Sequence, residues 1–140
     1  MVVKLTITNL NDVLASFEAT EDAMEQAVQY AITLSGLAIE RQAKQNASGR
    51  PGPNVRTGNL RRSITTGNGK KGFDGSYTVD VAATMVYARA VEFGLGPNKA
   101  NRGWPPGVKY PYLGPAARDL SKNGTLSRVF TTALASRLKG

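Results

Sequence analysis

A chain of 140 residues, 41% apolar and 20% charged, is long enough for one ordinary globular domain and short for two, so residues 1–140 are expected to share a single core. Eighteen Lys and Arg face ten Asp and Glu, a net charge of +8, and the chain has no histidine and no cysteine. Disulfides, thiolate nucleophiles, zinc–thiolate sites and the commonest general base are thereby excluded, while the positive excess points to an anionic partner. No signal-peptide pattern follows Met1, and no stretch approaches the ~20 apolar residues that span a bilayer. The expectation is a soluble protein made in a cytoplasm, without membrane contact.

In chain order, Val2 to Thr8 (VVKLTIT) reads as a strand, and Leu10 to Phe17 as a short helix or turn docked by Val13, Leu14 and Phe17. The spacing then predicts a long helix over about 20–46. Thr20 suits the N-cap, Glu21, Asp22 and Glu25 suit the positive end of the helix dipole, and Arg41 and Lys44 suit the negative end. Met24, Ala27, Val28, Ala31, Ile32, Leu34, Ala38 and Ile39 form one face, with Asp22, Glu25, Gln29, Thr33 and Glu40 opposite. Tyr30 and Leu37 lie beside the apolar stripe: either the core wraps further round, or a neighbouring chain covers this flank.

The run ASGRPGPN (47–54) breaks the helix. Alternation then predicts β-hairpins over about 60–93, with strands at Leu60–Thr66, Ser76–Ala83 and Met85–Phe93. Gly67 to Gly72 makes the first connection with Lys70 and Lys71 at its tip, and a tight turn near Thr84 makes the second. An irregular Gly/Pro segment over 94–110 carries Lys99, Arg102, Lys109 and the only tryptophan, Trp104. Helices are expected over about 115–139, the first starting with Pro115 at its first position and the second capped by Thr125. The fold class is therefore α+β: a long amphipathic helix on a small antiparallel sheet, closed by C-terminal helices.

Chemistry is scarce. Beyond the long helix the acids are Asp74, Asp80, Glu92 and Asp119, in no catalytic or metal-binding spacing, so neither an enzyme nor a cofactor is expected. Glu92, within YARAVEFG, is read as a salt-bridge or turn-fixing group. Lys70, Lys71, Lys99, Arg102 and Lys109 could touch DNA in a salt-dependent way or meet a protein partner, but no helix carries a groove-reading basic stripe. The charge is also divided: residues 1–45 hold three bases against six acids, and the rest fifteen against four. An acidic surface and a basic one are what head-to-tail packing of copies requires, although two solvated faces of different sign would look the same.

Three motifs stand in order around these elements. Pro53, Thr57, Gly58, Leu60, Ser63 and Ile64 form the first; Tyr87, Val91, Glu92, Phe93 and Gly94 the second; Pro111, Tyr112, Leu113, Pro115 and Ala116 the third. This order resembles the tail-completion, or head-tail joining, family of neck proteins in long-tailed bacteriophages. The match runs over about residues 10–138, with one extra residue between Pro53 and Thr57 and Tyr112 where that family has Phe. The resemblance implies a structural virion protein, assembled in the host bacterial cytoplasm. It would form a homo-oligomeric ring, six or a multiple of six, where the capsid connector meets the tail tube, with DNA passing through. Its partners would be the connector or stopper, the tail terminator and the tail tube. A tail terminator capping the tube, or a non-specific nucleic-acid-binding domain, are the alternatives. Thr57, Gly58, Leu60, Ile64, Tyr87, Gly94, Pro111, Leu113 and Pro115 are read as structural, and Arg56, Arg61, Arg62, Glu92, Tyr30, Leu37 and Trp104 as candidates for subunit or partner contact.

Overall fold

The computed structural model describes residues 2–7, 20–50, 52–55, 57–94 and 109–139. Its elements are β1 (Val2–Ile7), α1 (Glu21–Asn46), α2 (Asn59–Ser63), β2 (Ile64–Thr66), β3 (Lys70–Lys71), β4 (Tyr77–Ala83), α3 (Ala88–Phe93), α4 (Leu113–Lys122) and α5 (Thr125–Lys139). The α+β expectation holds. Leu10–Phe17 and most of 94–110 lie outside the described residues.

β4 is the spine of the sheet. β1 pairs with it along one side, from Val2 opposite Ala82 to Ile7 opposite Tyr77. On its other side β2 takes the far half and β3 the near half, so that edge is one broken strand. Alternation along β4 buries Tyr77, Val79, Val81 and Ala83. All the long helices pack on this face, while Lys4, Thr6, Thr65 and Lys70 are exposed on the other.

The long helix starts as expected: Thr20 Oγ1 accepts from the Ala23 N–H at 3.2 Å, and acids occupy the first turn. Its buried stripe is wider than hydrophobicity alone marks, since Ser35, Gly36 and Ala43 are buried with Ala27, Val28, Ala31, Ile32 and Ile39. Small residues let α1 lie close to the sheet. A Cβ built on Gly36 would come 2.7 Å from Thr66 Cγ2 and 3.1 Å from Val79. Thr33 and Glu40, assigned to the solvated face, reach the β2–β3 edge instead: Thr33 Oγ1 accepts from the Gly69 N–H at 2.9 Å, and Thr66 Oγ1 donates to Glu40 Oε2 at 2.6 Å. α5 runs back along α1, with Leu134 beside Ala27–Ile32 and Leu126 at the Ile39–Ala43 end.

Four expectations are corrected. Residues 59–63 form a helical turn, because Gly58 at φ 80° redirects the chain and its carbonyl accepts from the Arg62 N–H at 3.0 Å. Leu60 and Ile64, four residues apart, then both reach the core, where alternation had suggested a strand. Met85–Phe93 is a turn followed by helix α3. Alanine at 88 and 90 favours helix over strand, Ala88, Val91 and Glu92 share its buried side, and Gly94 at φ 69° closes it with its N–H on the Ala90 carbonyl. Finally, Lys70 and Lys71 sit within β3, and the hairpin tip falls at Gly72–Gly75. α4 also begins two residues earlier than read, with Pro115 at its third position, where a missing N–H still costs no helical bond.

Gly36→Val should lower unfolding stability by about 1–3 kcal/mol, the usual cost of overpacking, despite removing a helix glycine. Urea unfolding measures it, and an unchanged midpoint would contradict the close approach of α1 to the sheet.

Candidate interface surfaces

Glu92 is 4% exposed and sits on the inner side of α3. Its Oε2 accepts from the N–H groups of Tyr112 at 2.8 Å and Leu113 at 3.1 Å, and its Oε1 from that of Gly114 at 2.7 Å. These donors belong to the start of α4, whose first N–H groups have no partner inside the helix, so the carboxylate supplies what the helix end lacks. Gly114 is required by this approach, because a Cβ there would come 2.9 Å from Glu92 Oε1. Around the carboxylate, the Tyr110 N–H donates to the Val91 carbonyl at 2.8 Å and Asn46 Nδ2 donates to the Tyr112 carbonyl at 3.0 Å. Burial pushes the Tyr112 phenol well above its ordinary value, so it stays protonated, with its hydroxyl directed at the Ala88 carbonyl. The second and third sequence motifs are thus one structural joint. Glu92, read as a salt-bridge, turn-fixing or contact residue, instead caps the start of α4 and is buried.

The remaining candidates divide between the two ends of α1. At the C-terminal end, an open groove of ≈ 570 Å³ is lined by Leu37, Glu40, Arg41, Lys44, Gln45, Ser48 and Arg61. Arg61 is exposed and donates from Nη1 to Ser48 Oγ at 3.0 Å. Arg62 is spent locally on the Thr57 carbonyl and Asn59 Oδ1, at 3.2 and 2.6 Å. Lys44 Nζ is 2.8 Å from Glu40 Oε1. Partial burial alone would raise the Glu40 carboxyl, but hydrogen bonds from Lys44 and Thr66 outweigh it and hold the group below its ordinary value. Leu37 is 44% exposed within this groove. Arg50 stacks on the Tyr110 ring at 3.7 Å, fastening the loop after α1 to the chain that leads into α4.

At the N-terminal end, Glu21 and Asp22 are exposed, and Glu25 bonds to Lys71 across the gap to β3. The Lys71 ammonium is consequently occupied within the chain, and Lys70 is exposed. Tyr30 lies beneath the Arg137 guanidinium, 5.0 Å from the ring centroid, so α5 of the same chain covers part of this flank, and Tyr30 is still 40% exposed. Lys109 is exposed; Arg56, Lys99, Arg102 and Trp104 lie outside the described residues. Sequence reasoning missed the groove-lining role of Arg41, Lys44 and Gln45, although their spacing of one to two helical turns from Leu37 carries the signal. It also missed Phe73, an aromatic inside a Gly-flanked turn. Among the described residues no three acidic groups converge as a metal site, and no helix is long and apolar enough to cross a membrane.

Glu92→Gln should cost about 1.5–3 kcal/mol, because it turns one acceptor toward backbone donors into a donor. Thermal unfolding reads this out, and a stability within error of the parent would refute the capping role. The Glu40 contribution has a definite pH sign. Since its folded value lies below the ordinary 4.5, the stabilisation is complete above that value and is lost as pH falls through the folded value. Thr66→Val should raise the Glu40 value and shrink the acid-side loss, as carboxyl-carbon NMR titration would show.

The family model described as "Bacteriophage HK97-gp10, putative tail-component" matches residues 6–94, from the end of β1 to the C-cap of α3. No curated protein and no solved structure matches this chain. The matched span carries α1, its pairing with β2–β4 and the groove at its basic end. The chain belongs to the HK97-gp10-like family and is a phage tail-related structural protein of the virion.

Proposed function

We propose that copies of this protein pack head to tail into a ring, six or a multiple of six, that joins the capsid connector to the tail tube and lets DNA through. The observation that carries this reading is the polarity of α1. Exposed Glu21 and Asp22 stand at one end, and Arg41, Lys44 and exposed Arg61 stand around the other. From Glu21 to Arg41 is 20 residues, roughly 30 Å at ~1.5 Å per residue, so the two charged patches are well separated. Unlike patches on one subunit make a heterologous interface, and a heterologous interface closes as a ring when its rotation divides the circle. Lys71, spent on Glu25 within the chain, is not the basic partner; the groove end of α1 is.

The positive excess suits a ring through which DNA moves without being read. Arg and Lys exposed at scattered positions attract phosphate in a sequence-independent way and release it as salt rises. The connector or stopper on one side and the tail tube on the other are the expected neighbours.

Arg61→Glu should leave folding intact and weaken copy-to-copy contact, since a like charge facing the acidic end costs on the order of several kcal/mol. The expected result is fewer joined particles and a lower phage titre, with unchanged thermal unfolding. Electron microscopy of intact particles, combined with mass determination of the assembled protein, tests the position and the copy number. Density on isolated tails that lack the neck would favour a tail terminator instead, and unchanged assembly of the Arg61→Glu variant would remove the charge-pairing idea.

A further inference from the structure

The β3–β4 hairpin ends in an aromatic that nothing in the described chain accounts for. Phe73 is 115% exposed relative to a reference residue, so its ring makes no cover for the protein that carries it. Its backbone is well anchored. The Gly72 N–H donates to the Ser76 carbonyl at 2.7 Å, and the Gly75 N–H donates to the Gly72 carbonyl at 3.1 Å. Asp74 Oδ1 accepts from the Ser76 N–H at 3.1 Å and from Ser76 Oγ at 2.6 Å, bonds that hold its carboxyl below the ordinary value. Gly75 takes φ 83°, which closes the turn. A phenylalanine presented on a tied turn loses little freedom on docking, the situation in which an aromatic anchor contributes most.

Resting on the head-to-tail reading above, we propose that Phe73 of one copy seats on Leu37 in the groove of the next. Three observations select that occupant. The groove offers apolar surface at Leu37 flanked by Arg41 and Arg61, whose guanidinium groups can lie against an aromatic face. The charges are complementary: Asp74 stands in the turn and Glu21 and Glu25 act on Lys71 of the hairpin, while the groove is lined by Arg41, Lys44 and Arg61 against Glu40. And the two surfaces cannot meet within one chain. β3 is tied to α1 at Glu25, and the groove begins 12 residues on, about 18 Å along the axis at ~1.5 Å per residue. A knob and a socket on separate parts of the same subunit are the two halves of a heterologous contact.

The absence of cysteine makes the test direct, since introduced thiols are the only ones on the chain. Particles are grown with the double variant Phe73→Cys/Leu37→Cys and with each single variant, then mildly oxidised and run on non-reducing gels. The double variant should give a reducible ladder of dimers up to the full ring, and the single variants should not. In parallel, Phe73→Ala should keep the parent's melting temperature and reduce incorporation into particles by about tenfold or more, with Phe73→Tyr restoring it. If microscopy places the parent protein at the head-tail junction but the double variant, oxidised both in particles and as concentrated purified protein, gives no ladder, the Phe73–Leu37 contact is wrong and the ring reading survives. If the parent protein is absent from the junction, both fall.

Discussion

One buried carboxylate holds the two halves of this molecule together. Glu92, near the end of α3, gathers three backbone N–H groups at the start of α4. Residues 94–112 separate those elements in sequence, and the carboxylate specifies where the second one starts against the first. A carboxylate does this better than apolar packing because its lone pairs demand donors in particular directions, and the start of a helix is where such donors stand unused. Tyr112 and Leu113 are carried into the core by the same joint, and α5 then follows α4 back along α1. A few hydrogen bonds thus set where the C-terminal third begins, and the core that α4 and α5 share with α1 holds the rest of it.

The second organising element is α1, which serves three neighbours at once. Its buried stripe faces the sheet and α5, its edge polar residues fasten the β2–β3 border, and its ends carry opposite charge. Placing glycine at 36 brings helix and sheet together, at some loss of intrinsic helix propensity that packing recovers. With both termini of one straight element exposed on different parts of the surface, a single subunit offers two unlike docking patches without needing two domains.

Long-range periodicity makes α1 legible in the sequence: 26 residues give about seven turns of repeat, with a recognisable cap and charges at both ends. Strand β4 is legible for the same reason, having seven alternating residues. The short helices are not. Six residues in ARAVEF span fewer than two turns, and a pattern of small and large side chains that brief fits a strand as well as a helix. What decides between them is Gly94 and the distant N–H groups that Glu92 must reach, a tertiary fact. Gly58 similarly gives away a turn but not the helical residues after it. Among candidate contact residues, Arg61 lines an open groove that the sequence did not reveal, whereas Glu92 and Lys71 are consumed inside the chain by partners 20 and 46 residues away.

The broken border of the sheet has a consequence for how this protein can fail. Strands with long bare edges template their own kind and grow into fibrils. Here one border is cut into pieces of three and two residues, with Gly69 between them held against α1. It cannot serve as a template for a continuous intruding strand. β1 pairs with no other described strand on its outer side, so at most one edge remains for such recruitment. Edge-to-edge growth that starts there joins two copies and stops, a chain-terminating geometry. The fold is thereby protected from polymerising through the wrong surface.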